Sequence, residues 1–356
     1  MRKRTNGWKK WVSVMTVAAM AMCVFTGCSG NGGNSGNAGT SQAAAGSESG
    51  KTASGDKFKV AWISSVNDNW HHQNCTISKD YIEKNTDNVE INIMDNKNWD
   101  EAEIGSLLEQ IQLAGDYDML IMGTQSDRTD TVQELQKNGT HVILAVGSYP
   151  WAEGIASTCN SSEYEMARLI AEAAINELPQ GAKVVLLRGM QGYWGSEERG
   201  KAFHDVLATR EDITILDEQY AAFDKAKAMA VMDDWITAYG DEITGVISEN
   251  DVMALGAIEA MNAASMSTDD VYVYGIDGLY QGCKAVEEGM IRATCYNDCQ
   301  KFAEVYLDRV KKLQSGEIDA SYVEDVVLTP VRIDKSNVQE YLDFTKKMDS
   351  INNHIS

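Results

Sequence analysis

The sequence predicts an α/β protein made of two lobes, each a parallel sheet covered by helices. Three observations carry this. Short, β-branched apolar runs recur without polar alternation, as in strands buried on both faces. A helical pattern separates nearly every consecutive pair of them, which favours parallel pairing through crossover connections. The strands are too many for one comfortable sheet, and the series restarts near residue 158.

Arg2, Lys3, Arg4, Lys9 and Lys10 give residues 1–28 a charged start, and Trp11 to Phe25 follow as an apolar stretch too short for a membrane-spanning helix. This is the make-up of an export signal. It closes on Phe25-Thr26-Gly27-Cys28, which resembles a bacterial lipoprotein cleavage box and implies lipidation of Cys28, although such boxes usually carry leucine where Phe25 stands. Residues 29–56 are Gly, Ser, Asn and Ala with scarcely a large apolar side chain. They cannot bury a core and are expected to be a disordered tether. Anchor and tether together predict a protein at the outer face of the cytoplasmic membrane, held by lipid.

The rest of the chain is long enough for two real cores. With 31 basic against 53 acidic residues the formal net charge is −22, and loss of the leader's basic residues deepens the excess. Such a surface argues against nucleic acid as a partner, which needs a basic footprint. Of seven cysteines, Cys75, Cys159, Cys283, Cys295 and Cys299 lie beyond the leader. Cys295 and Cys299 are spaced to face one another across a helical turn, and His71, His72 and Cys75 are the nearest approach to a metal set. Zinc sites show tighter paired spacing, so no metal and no cofactor are expected. Buried thiols, with room for one disulfide, are.

Taken in order, Phe58–Ile63 is the first strand, and its helix begins near His71. Val89–Met94 is the second, followed by a helix from Trp99 to Leu113 whose inward face is Ile104, Leu107, Leu108 and Ile111. Strands Asp118–Met122 and His141–Val146 flank a helix near Thr131. A second series then runs: helix Ser161–Asn176, strand Lys183–Arg188, helix Ser196–Ala208, strand Asp212–Leu216, helix Asp224–Tyr239. Strands Ile243–Ser248 and Val271–Ile276 enclose a helix on which Val252, Leu255, Ile258 and Met261 share a face, with Asn250 or Asp251 placed to cap it. These strands, and Ile291–Tyr296 after them, end in polar clusters: Asn250-Asp251, Asp277-Gly278 and Asn297-Asp298. Ligands in open α/β sheets bind outside the carboxyl ends of strands, so the clusters are expected to converge on one cleft. None holds a nucleophile beside a base. They are hydroxyl-binding groups, and no enzyme is predicted. From Asp334 on, Val338, Tyr341, Leu342 and Phe344 predict one more helix, packed along the second lobe.

Six stretches in order, FKVAWISSVNDNW, LRGMQGYWGSEERGKAF, AAFD, SENDVMALGA, YGIDG and IRATCYND, carry a resemblance to the type I periplasmic sugar-binding proteins of the ribose/galactose kind. These are substrate-binding components of ABC importers. The likeness spans roughly Phe58 to Leu328. It implies two doubly wound parallel-sheet lobes joined by a three-segment hinge, crossing near Thr158–Asn160, Asn297 and Asp325. Lobe one would then be 57–158 with 298–325, and lobe two 159–297 with 326–356.

The resemblance also implies ligand contacts. Asp68, Trp70 and His71 match the first strand's polar residue and its sugar-stacking aromatics, although Trp70 also suits a core. A carboxylate accepts from hydroxyls, and an aromatic face fits the C–H face of a sugar. Arg199 stands where a guanidinium grips ring oxygens; the plainer reading is a surface pair with Glu197 or Glu198. Trp194 and Phe223 are candidate stacking walls or core residues. Asn250, Asp277 and Asn297 match the family's Asn, Asp and Gln contacts, with cap and turn roles as the alternatives for the first two. Where the ribose-binding pattern has an Asp-Arg clamp, this chain has Val146-Gly147. Arg128, Tyr149 or Trp151 would have to substitute, or the ligand is another sugar than ribose.

The implied function is capture of a small sugar by a monomer that closes on it and presents the closed form to an ABC transporter permease. The alternative is a sensor that shows its bound sugar to a receptor or histidine kinase. A sugar-responsive repressor would need an N-terminal DNA-binding module where this chain has an export signal.

Overall fold

The computed structural model describes residues 57–65 and 68–355. The expected export signal, Cys28 and the expected tether lie outside them.

Two six-stranded sheets form the protein. The first contains β1 (Phe58–Ser64), β2 (Val89–Asp95), β3 (Met119–Met122), β4 (His141–Ala145), β5 (Ser157–Ser161) and β11 (Asp325–Leu328), in the order β11-β5-β4-β3-β1-β2. Every pairing in it is parallel, with Val60 between Ile91 and Met119. The second contains β6 (Lys183–Arg188), β7 (Thr214–Tyr220), β8 (Gly245–Ser248), β9 (Tyr272–Tyr274), β10 (Ala293–Tyr296) and β12 (Val331–Asp334), in the order β12-β10-β9-β8-β6-β7. Only β12 runs antiparallel.

Each sheet is buried on both faces. β3 and β4 are buried throughout, which is why their sequences are unbroken apolar runs. Helices α1 (Asn69–Asn85), α2 (Glu101–Ala114), α3 (Thr129–Lys137) and α9 (Cys299–Ser315) serve the first lobe. Helices α4 (Glu163–Glu177), α5 (Trp194–Leu207), α6 (Lys225–Tyr239), α7 (Asp251–Ala263) and α8 (Tyr280–Glu288) serve the second. Each sheet thus separates two apolar clusters, one per face.

The structure departs from the sequence reading in four places. β5 reads Ser-Thr-Cys-Asn-Ser and was not anticipated as a strand; it belongs wholly to the first sheet, held between β4 and β11. The chain therefore leaves the first lobe after Ser161 and, the last time, after Leu328, about three residues later each time than the family pattern suggested. The C-terminal helix, α10 (Val338–Ile355), does not follow lobe two alone. Its start packs on α8, and Phe344, Met348 and Ile351 reach the first-lobe cluster around α1. Last, Cys295 lies in β10 and Cys299 in α9, so no helical turn brings them face to face. All five described cysteines are free and buried.

His141, fully buried at the start of β4, is held neutral: burial pushes its imidazole from 6.5 down to about 4. Its ordinary, unfolded value lies above its folded value, so its contribution to stability is complete above pH 6.5. It is lost as pH falls from there through about 4. We expect acid destabilisation of up to ~3 kcal/mol across that window. In urea melts at stepped pH, His141→Gln should flatten it; an unchanged profile would exclude His141 as the cause.

Candidate ligand-binding site

The carboxyl ends of both sheets face one cleft, and most of its polar groups are there because helices start there. An N-cap needs a short acceptor side chain just beyond a strand. Asp68 caps α1 by accepting from the His71 amide, Asn250 caps α7 by accepting from the Met253 amide at 2.9 Å, and Asp298 caps α9.

From the first lobe come Asp68 and His71, with Nδ1 of the ring 2.8 Å from the carboxylate. Burial alone would raise the Asp68 pKa, but His71 and, across the cleft, Arg199 outweigh it and hold the carboxyl below its ordinary value. The other ring nitrogen of His71, Nε2, is buried and has no partner among the described residues. Trp70 turns the other way. It is 4 % exposed, sits edge-on to Phe302 in the lobe-one core and donates its indole N–H to the Asn297 carbonyl at 3.0 Å. Its polar atom thus serves the crossing between lobes.

From the second lobe, Arg199 is 7 % exposed and does not pair with Glu197 or Glu198. Its Nε donates to Glu163 at 2.5 Å, Nη1 donates to the Glu249 carbonyl, and the Asp277 carboxylate lies 3.7 Å away. Asp277 has a positive φ of 115°, a strained conformation for a non-glycine residue. Burial pushes its pKa well up; Arg199 opposes this, while Asp251, Asp68 and Glu163 reinforce it. Asn250 uses its side-chain oxygen as the cap, leaving the amide N–H₂ with no partner among the described residues. Asn297, 2 % exposed, has its Oδ1 buried with no partner among the described residues.

Behind this layer lie fully buried carboxylates. Asp251 does not cap α7; it accepts from the Thr294 hydroxyl at 2.6 Å and from the Leu279 amide at 3.1 Å, fixing the loop that carries Asp277. Burial raises it to about 7. Glu249 holds Arg188, the Gly189 amide at 2.8 Å and the Ser196 hydroxyl at 2.5 Å. Arg188 lies flat on Gly200, where a Cβ would sit 1.9 Å from its guanidinium carbon. The glycine of the RGKAF segment is thus a packing requirement. We expect Gly200→Ala to destabilise by about 1–3 kcal/mol through overpacking, read as a lowered denaturation midpoint; a midpoint within 0.3 kcal/mol of the parent would show that Arg188 can move aside.

The aromatic walls differ from the expected ones. Phe223, at φ 55°, lies against Gly189, 5.9 Å below the Arg199 guanidinium. The ring that meets it is Tyr193, at 6.1 Å, rather than Trp194. Trp194 is the first residue of α5, half-buried, at the rim of a cavity of about 160 Å³ beside Thr124, Val146 and Gly147. Trp99 is a wall the sequence did not offer as one. It precedes α2 instead of opening it, with φ 58°, and stacks on Tyr193 from the opposite lobe at 6.0 Å and 28°. It also covers Gly123 at the end of β3 and contacts His71 at 4.5 Å.

The three residues expected to replace the Asp-Arg clamp have other partners. Arg128 is tied to Glu101 at 2.9 Å, the Tyr149 hydroxyl donates to the Ala145 carbonyl at 2.8 Å, and Trp151 packs edge-on against Tyr149. Among the described residues, no three His, Cys, Asp or Glu side chains are arranged to hold a metal.

Comparison with known proteins gives consistent results. A family model described as a periplasmic binding protein domain matches residues 36–318. A ribose import binding protein of Escherichia coli is 28 % identical over 70 % of this chain and 84 % of its own length. A putative rhizopine-binding protein of Rhizobium meliloti is also 28 % identical, over 74 % of this chain and 85 % of its own. Among solved structures, a galactofuranose binding protein superposes with a TM-score of 0.72 at 19 % identity, covering 82 % of this chain and 99 % of the other. An ABC transporter solute binding protein of Bacillus halodurans with bound myo-inositol gives 0.71 at 22 %, covering 82 % and 99 %. At these identities the structural likeness concerns the fold.

Proposed function

Because this chain belongs to the periplasmic binding protein domain family, among the sugar-binding solute-binding proteins of ABC importers, we propose that it captures a polyhydroxylated small molecule between its lobes and delivers it to a membrane permease. Its relatives bind solutes for transport and do not transform them, and the chain is not an enzyme. One observation carries the reading for this chain's own residues. The Asp68–His71 pair of one lobe and the Arg199–Asp277 pair of the other influence one another electrostatically, beside the Trp99–Tyr193 stack that joins the lobes, and among the described residues His71 Nε2 and Asn297 Oδ1 have no partner.

A sugar presents vicinal hydroxyls that both donate and accept, and a C–H face that packs on rings. The Asn250 amide donates, the Asp277 carboxylate and Asn297 Oδ1 accept, and Trp99, Tyr193 and Phe223 supply the walls. A ligand touching both lobes favours closure by its differential affinity, and the closed form is what the permease would recognise. The missing clamp at Val146-Gly147 argues against ribose as the solute. From the leader sequence we further propose lipidation at Cys28, which would hold a monomer at the outer face of the cytoplasmic membrane.

The test is a thermal-shift screen against pentoses, hexoses, deoxy sugars, amino sugars, polyols and disaccharides. A ligand that binds only the folded form raises the melting temperature by mass action. One compound giving several degrees, lost in Asp277→Ala, supports the reading. Silence across the whole panel would overturn it.

A further inference from the structure

We propose that the solute is a polyhydroxylated amine, an amino sugar or aminocyclitol carried as its ammonium ion. This rests on the sugar-capture reading above and narrows it. Three carboxylates face the cleft, from Asp68, Glu163 and Asp277, with side chains 18 %, 2 % and 6 % exposed. Against them stands one guanidinium, that of Arg199, and His71 is already engaged by Asp68. Two of the guanidinium's three nitrogens are already engaged, Nε on Glu163 and Nη1 on the Glu249 carbonyl. Asp68 and Glu163 thus have their partners, and Asp277 is the carboxyl left without a hydrogen-bonded counter-charge.

Hydrogen bonding points the same way. The Asp277 carboxylate accepts no hydrogen bond among the described residues; the Arg199 guanidinium is at 3.7 Å, too far for one. Asn297 Oδ1, in a side chain 2 % exposed, is a second acceptor with no donor. Burial pushes the Asp277 pKa up, Arg199 opposes this and Asp251, Asp68 and Glu163 add to it, and an ammonium beside the carboxyl would favour its ionised form. An ammonium is the complementary group: three donors, no acceptor and a positive charge. The walls suit it as well. Tyr193 lies 6.0 Å from the Trp99 ring of the other lobe and 6.1 Å from the Phe223 ring, and aromatic faces attract cations most strongly where water is excluded. The hydroxyls of the same ligand would take the Asn250 amide and the free edge of Arg199.

The experiment is calorimetric titration of the full chain at pH 7 with matched sets: each aminodeoxy hexose and an inosamine beside its neutral parent and its N-acetyl derivative. One amine is expected to bind at least tenfold more tightly than both neutral partners. In Glu163→Gln and, independently, Asp68→Asn, that preference should shrink about tenfold, whichever of the two variants folds better. A neutral parent binding as tightly as its amine would overturn this inference and leave sugar capture standing. Failure of every compound, charged or neutral, would overturn both.

Discussion

Arg199→Ala is expected to weaken solute binding at least ~100-fold and to lower the stability of the empty protein by about 3–5 kcal/mol, because it leaves buried carboxylates without their counter-charge. The two effects have one origin. Arg199 is 7 % exposed and links Glu163 on α4, the Glu249 carbonyl after β8 and, more loosely, Asp277 after β9. Removing it uncouples three loops that must hold the solute and leaves Glu163 and Asp277 facing one another. Arg199→Lys keeps the charge without the planar fork that meets two acceptors at once, so it should recover stability better than binding. Denaturant unfolding without ligand, followed by titration of whichever variant stays folded, separates the two. Near-parental affinity in Arg199→Ala would show that the guanidinium serves architecture alone.

Truncation before Val338, which removes α10, is expected to cost roughly 3–5 kcal/mol, the scale of losing large buried side chains, and to weaken solute affinity several-fold. Val338 and Met348 are 1 % and 4 % exposed, and Phe344 touches the clusters of both lobes. α10 therefore fastens α8 of one lobe to α1 of the other, beside the cleft contacts made by Trp70 and Asn297. If this fastening favours the closed form, removing it lowers the competent fraction, and apparent affinity falls by that fraction. Phe344→Ala is the milder version, and small-angle scattering of the empty protein reads the opening directly. Unchanged affinity and scattering on truncation would make α10 a passive cover.

The two lobes were legible in the sequence because buried parallel strands advertise themselves. KVVLLR and HVILAV have apolar side chains on both faces and can be little else. β5 was not legible: Ser157-Thr158-Cys159-Asn160-Ser161 lacks an apolar run, and its strand state comes from two neighbours, β4 and β11, that arrive from distant sequence. The path of α10 escaped for the same reason, since an apolar stripe says that a helix packs but not on what. Among the proposed site residues, Asn250, Asp277 and Asn297 were chosen by position, and they do follow the ends of β8, β9 and β10. Trp99 and Tyr193 were not found, because left-handed backbone at Trp99 and the turn at Gly192-Tyr193 aim those rings, and neither leaves a periodic signal. Glu163 was hidden as an ordinary acidic residue in the first turn of a helix. Only its partner, Arg199, gives it meaning.

The stacking of Trp99 on Tyr193 across the cleft also makes the molecule its own optical gauge. Separation of the lobes would part that pair and release the Trp70 indole N–H from the Asn297 carbonyl to water. Both changes alter tryptophan emission. Stopped-flow fluorescence on the unlabelled protein would then time closure against solute concentration, and Trp99→Phe would assign which indole reports it.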